Sequence, residues 1–256
     1  MTPRALILHA PGTNRDLEAA QAFELAGAQP EIIPLNTLRA NRTPFTNYQL
    51  LCLPGGFSYA DALGAGKLLA LDLNVYFADE VRTFVESGRP VIGICNGFQA
   101  LVKAGILLTL PETNDARNAT LTFNHSGHFE CRWVTLAPRS QTCLWTHDLA
   151  EPIYCPVAHG EGNLVTNYQS SITNNQIALI YSLPDASPAL GAYPFNPNGS
   201  VADIAGLCNP PGNVLGLMPH PEDHLFPYQH PRWTRGERGG LGLRLFENGV
   251  SYARQA

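Results

Sequence analysis

The run Pro90-Val91-Ile92-Gly93-Ile94 leads into Cys95, and a helical pattern from Gly97 to Ala104 follows with no loop between. A short apolar run that turns at once into a helix fits a strand buried on both faces, as in parallel sheets covered by crossover helices. The N-terminal half repeats this texture, with strands expected at Ala5–Leu8, Glu31–Ile33 and Leu50–Leu53. Asn14 is the expected cap of an amphipathic helix reaching Ala26, and a second helix is expected over Val75–Glu86. Further on, Phe129–Leu136, Ile153–Ala158, Gln176–Tyr181 and Val214–Met218 read as strands joined by Pro-, Gly- and Asn-rich turns, and Gly239–Asn248 as a closing helix. With no repeat or evident linker, residues 1–256 are read as a single α/β domain, its mostly parallel sheet extended by the later strands.

Composition narrows the function classes. Hydrophobic residues make up 45% and charged residues 14%, which suits a globular core rather than a disordered chain. A formal net charge of −5 gives no reason to expect nucleic acid or an anionic membrane as partner. No apolar run has bilayer-spanning length, and the segment through Leu8 is too short for a signal peptide, so a cytoplasmic location is expected. No two of the six cysteines are spaced Cys-x-x-Cys, which argues against a zinc ribbon or a redox pair. His220, Glu222 and His224 alternate in a metal-ligand style, but the flanking prolines would strain such a cluster, and no metal is expected. Gly64-Ala-Gly-Lys67 lacks the leading glycine and the hydroxyl residue of a phosphate loop. The glycosylation-type triplets at Asn41, Asn118, Asn124 and Asn198 are read as coincidences of an Asn-rich chain.

Cys95 has a glycine two residues to either side, the pattern of a nucleophile elbow, where a sharp strand-to-helix turn exposes the reactive side chain. The positive end of the helix dipole favours a thiolate there, and the Asn96 N–H is placed to bond a developing oxyanion. Gln99, four residues on, shares the helical face of Cys95 and is a candidate to hold a polar substrate. Alone, this stretch also suits a buried cysteine in a glycine-punctuated turn. A base is offered by Met218-Pro219-His220-Pro221-Glu222, directly after the apolar Val214–Met218. Parallel strands gather chemistry at their carboxyl ends, so His220 is expected on the same edge as Cys95, with Glu222 fixing the imidazole tautomer. Leu53-Pro54-Gly55-Gly56-Phe57-Ser58, after another apolar strand, can turn backbone N–H groups toward a ligand.

Together these pieces resemble the class I, triad-type glutamine amidotransferases. Five segments carry the likeness further, to the glutaminase subunits of phosphoribosylformylglycinamidine synthase: Pro54–Tyr59 with Asp61, Gly93–Gln99, Phe129–Trp133, Val157–Gly162, and Asn196–Ser200 running on to Met218–Glu222. The resemblance implies a flavodoxin-like fold and hydrolysis of glutamine by a Cys95–His220–Glu222 triad. Gly56 and Asn96 would form the oxyanion hole, and Gly55, Gln99 and His159 would lie at the substrate. A structural role for His159 fits as well. The chain itself would bind no cofactor. Ammonia would pass to a synthetase subunit that uses ATP and Mg2+, with a small accessory subunit in the assembly. The sequence departs from the family at Ala60, where glycine is usual, and at Asp223, where arginine is common. Pro138–Glu151 and Leu225–Arg238 look longer than in the shorter members. Another Cys-dependent hydrolase of this fold shares the elbow but not the later segments, and an inactive scaffold subunit would have no need of an intact triad.

Overall fold

The computed structural model describes residues 1–41, 44–108, 119–166 and 172–255. The apolar runs pair side by side as the hydrophobic pattern requires. β1 (Arg4–His9) lies between β2 (Gln29–Pro34) and β3 (Leu50–Leu53), all parallel. β3 pairs with β4 (Val91–Ile94), and β4 with β11 (Val214–Leu217), again in parallel. β3, β4 and β11 are buried along their whole length, because helices cover both sheet faces.

Beyond β11 the sheet turns antiparallel, through β10 (Ile204–Cys208), β9 (Ile177–Ser182), β6 (Glu130–Pro138) and β7 (Ile153–His159). The described residues thus form a nine-stranded mixed sheet of order β2-β1-β3-β4-β11-β10-β9-β6-β7. A separate antiparallel pair joins β5 (Ala119–Thr122) to β8 (Asn163–Thr166). The mixed sheet matches expectation. β5, β8 and β10 were not anticipated, since each is short and the last is interrupted by Gly206.

Helix boundaries moved for identifiable reasons. Asn14 does not cap α1 (Asp16–Leu25); Arg15 stands at the cap position, and the Asn14 N–H donates instead to the Gly55 carbonyl at 3.3 Å. After the short helix α2 (Leu35–Asn41), the expected Val75–Glu86 helix is two, α3 (Lys67–Tyr76) and α4 (Ala78–Glu86). They break at Phe77, whose ring is buried 5.8 Å from that of Phe45. The closing helix α6 (Leu243–Ala253) starts later than expected, because the Gly242 N–H is held by the His224 carbonyl. Its Phe246 meets Phe23 of α1 edge-on at 5.3 Å, closing one face of the sheet. Asn124 and Asn198 are buried and hydrogen-bonded, so neither is a glycosylation acceptor, while Asn118 lies outside the described residues. Among the described residues no helix is long and apolar enough to cross a membrane.

Candidate active site

Cys95 joins β4 to α5 (Asn96–Lys103) at φ 49°, ψ −105°, a conformation that L-residues avoid. Such strain persists only where the surroundings enforce it. Here the Cys95 N–H donates to the Leu217 carbonyl at 2.8 Å, and α5 is pressed against the end of β3. A Cβ at Gly97 would fall 1.9 Å from the Leu53 carbonyl oxygen, so only glycine permits that approach. The elbow therefore aims the Cys95 side chain off the carboxyl edge of the sheet. The thiol is 4% exposed, with Sγ 3.8 Å from the Ala158 carbonyl oxygen.

The neighbouring strand end supplies the base. His220 follows β11, is anchored by its N–H to the Pro156 carbonyl at 2.8 Å, and flanks Gly55 together with Cys95. Its Nδ1 meets Glu222 Oε1 at 2.7 Å, with both residues at most 2% exposed. Burial disfavours a charged imidazole, but Glu222 and then Cys95 outweigh it, and His220 is held well above the usual histidine range. Gly55 touches both partners: a Cβ there would stand 2.7 Å from His220 Cε1 and 3.4 Å from Cys95 Cβ. Gly56 takes φ +141° and bridges to Thr13. Three adjacent parallel strands thus deliver the glycine loop, the thiol and the His–Glu pair to one point. His224 is no part of this group, for its Nδ1 faces the Tyr154 carbonyl.

The remaining expected residues divide between pocket and framework. Asn96 is the first residue of α5, where the backbone N–H has no intrahelical acceptor. Its side chain accepts from the Ser58 N–H at 3.1 Å and donates to Asp61 at 2.9 Å, locking the 55–61 loop to the elbow. Gln99, expected beside the substrate, commits its amide to the protein: Nε2 donates to the Glu161 carbonyl at 2.7 Å and Oε1 accepts from Asn96 at 3.1 Å. Gln99 thereby braces the elbow helix against the residues that follow β7. His159 is buried near His220, its Nδ1 3.0 Å from Asn124 Oδ1 and its Nε2 without a hydrogen-bond partner. Burial, with His220 adding to it, pushes this imidazole down to about 3, so it is neutral. In the sequence Asn124 shows only a glycosylation-type triplet, which gives no sign of this role; its Oδ1 also accepts the Gly162 N–H at 2.9 Å.

Residues 2–253 match the family described as CobB/CobQ-like glutamine amidotransferase domain. The chain belongs to that family. The amidotransferase is 53% identical to phosphoribosylformylglycinamidine synthase subunit PurQ of Treponema denticola, an alignment covering 98% of this chain and 99% of the relative. It is 43% identical to the protein of the same name from Dehalococcoides mccartyi, covering 98% of each. Its structure resembles a chain of PurLQS from Thermotoga maritima, with TM-score 0.75, 32% identity, and 98% and 99% of the two chains covered. A further glutamine amidotransferase from Thermotoga maritima, 15% identical with TM-score 0.59 and all of both chains covered, shares the fold.

Proposed function

We propose that this amidotransferase is the glutaminase subunit of a phosphoribosylformylglycinamidine synthase, and that Cys95, His220 and Glu222 perform its chemistry. The observation that carries the assignment is the convergence at the ends of β4 and β11: a strained elbow cysteine beside a buried His–Glu pair joined at 2.7 Å.

The Cys95 thiolate adds to the carboxamide carbon of glutamine, and the oxyanion takes hydrogen bonds from the Gly56 and Asn96 N–H groups. The C–N bond breaks as the His220 imidazolium gives its proton to the leaving ammonia, leaving a glutamyl thioester on Sγ. Water then surrenders a proton to His220, adds to the thioester and expels the thiolate, so the sum is glutamine plus water to glutamate plus ammonia. Glu222 holds the imidazole tautomer and balances its charge throughout. His159, neutral and with Nε2 free, offers a polar contact to the bound substrate. No cofactor is required of this chain. A synthetase subunit uses ATP and Mg2+ with the delivered ammonia to convert formylglycinamide ribonucleotide to its amidine, and a small accessory subunit belongs to the same proposal.

Cys95 and His220 are nearly sealed from solvent, which favours a site that opens in the complex and a free subunit of low activity. The test is synthesis by the reconstituted complex with Cys95→Ala. Glutamine-dependent turnover should vanish while ammonia-dependent turnover persists. Retention of glutamine-dependent turnover would remove Cys95 from the mechanism.

A further inference from the structure

Glu222 and Asp223 are consecutive carboxyl residues, the first buried completely against the His220 imidazole and the second mostly buried beside it. Glu222 Oε2 has no hydrogen-bond partner. The balancing cation comes from the start of α1. Arg15 Nε lies 3.7 Å from Asp223 Oδ2, and its guanidinium is close enough to feel the charge of Glu222 as well. The same residue reaches the opposite wall of the site through its backbone, since its N–H donates to the Gly55 carbonyl at 3.3 Å. The Asp223 N–H in turn bonds the His220 carbonyl at 3.2 Å. One residue thus ties the glycine loop to the turn that carries the triad base and acid.

We propose that Arg15 is a positioning residue, fixing the Glu222–Asp223 turn against the Gly55–Gly56 loop so that Glu222 stays aimed at His220. The proposal rests on the triad reading above. Asp223 is faced by Glu222 and His220 on its own turn, by Arg15 and Glu18 from α1, and by Cys155 on β7. Arg15 is the only arginine or lysine in that set, and Arg15 is itself shared with Glu18 at 3.0 Å.

The experiment measures glutamine-dependent and ammonia-dependent synthesis by the assembled complex across pH, with an unfolding midpoint for each variant. Arg15→Met should lower kcat for glutamine about 10-fold at nearly constant KM, since misaimed groups cost rate rather than binding. Its acid limb should move to higher pH, because a cation has left two adjacent carboxyls. Arg15→Lys should restore most of the rate, and Arg15→Asp combined with Asp223→Arg should exceed either single variant. Unchanged kcat and acid limb in Arg15→Met would overturn the proposal. So would a loss that neither Arg15→Lys nor the exchanged pair restores. An unsubstituted complex without glutamine-dependent activity would instead overturn the triad reading.

Discussion

Gly55 and His220 are in contact: a Cβ on the glycine would stand 2.7 Å from Cε1 of the imidazole. The contact couples the loop after β3 directly to the base after β11. The ring cannot retreat without losing its 2.7 Å bond to Glu222. Gly55→Ala should therefore lower kcat for glutamine about 100-fold while changing stability by only about 1 kcal/mol. Gly97→Ala should do the reverse, because its Cβ meets a backbone oxygen at 1.9 Å, and about 3 kcal/mol or more of stability should go. Steady-state rates and thermal unfolding of the two variants separate the effects.

The charge on Glu222 is what holds His220 up against its own burial. Glu222→Gln keeps the shape and removes the charge, so burial wins and the imidazolium is lost. Turnover of glutamine should fall by about 100-fold or more, as when a triad carboxylate becomes an amide. Nitrogen NMR of labelled His220 should show its titration moving down. An unmoved titration would contradict the electrostatic account. In the unsubstituted protein the same pair contributes stability that is complete below about pH 6.5 and is lost as pH rises through the raised folded value.

Much of this site is legible in the chain because its logic is local. The apolar runs before Gly55, Cys95 and His220 announce three strand ends, and parallel pairing then places the three on one edge. Long-range contacts were not legible. Arg15 carries no sequence signal of a role in the site until folding brings Asp223 beside it. Asn124 reads only as the start of a glycosylation-type triplet until β7 brings His159 to it. Gln99 reads as a substrate contact because helical spacing shows its face, while its Glu161 partner is distant in sequence. β10 is masked by its central Gly206, where a Cβ would stand 3.0 Å from Leu217 Cβ of β11, a reason visible only in the pairing.

Acid should expose His159. It is buried and neutral, pushed down to about 3, whereas an unfolded histidine takes a proton near pH 6.5. A lowered folded value means stability that is present above about pH 6.5 and lost as pH falls toward the folded value, at about 1.4 kcal/mol per pH unit. Asp223 slopes the other way, for burial and Glu222 raise it to about 6. Its ionisation costs stability as pH rises from the ordinary carboxylate range through that value. Denaturation midpoints of His159→Gln should therefore fall less steeply below about pH 6 than those of the unsubstituted protein. Asp223→Asn should be the more stable variant near neutrality.

Lys103 offers a test of how the segment after the glycine loop is held to Glu161. Its Nζ donates to the Ala65 carbonyl at 2.6 Å and to the Leu121 carbonyl at 3.2 Å, and lies 4.0 Å from Glu161 Oε2. The Ala65 N–H donates to that carboxylate at 3.2 Å, and Gln99 holds the backbone of the same residue. Burial lowers the Lys103 ammonium below its usual range even though Glu161 and Asp61 favour its charge, so the cation is retained by its partners. Lys103→Met leaves a mostly buried carboxylate without its cation and takes the ammonium donor from two carbonyls, at a cost of about 2 kcal/mol. Removing the stranded charge as well, in Lys103→Met with Glu161→Gln, should recover part of that loss. Unfolding free energies of the two single variants and the double variant give the coupling directly. A double variant no better than the sum of the singles would mean that solvent, rather than Lys103, screens Glu161.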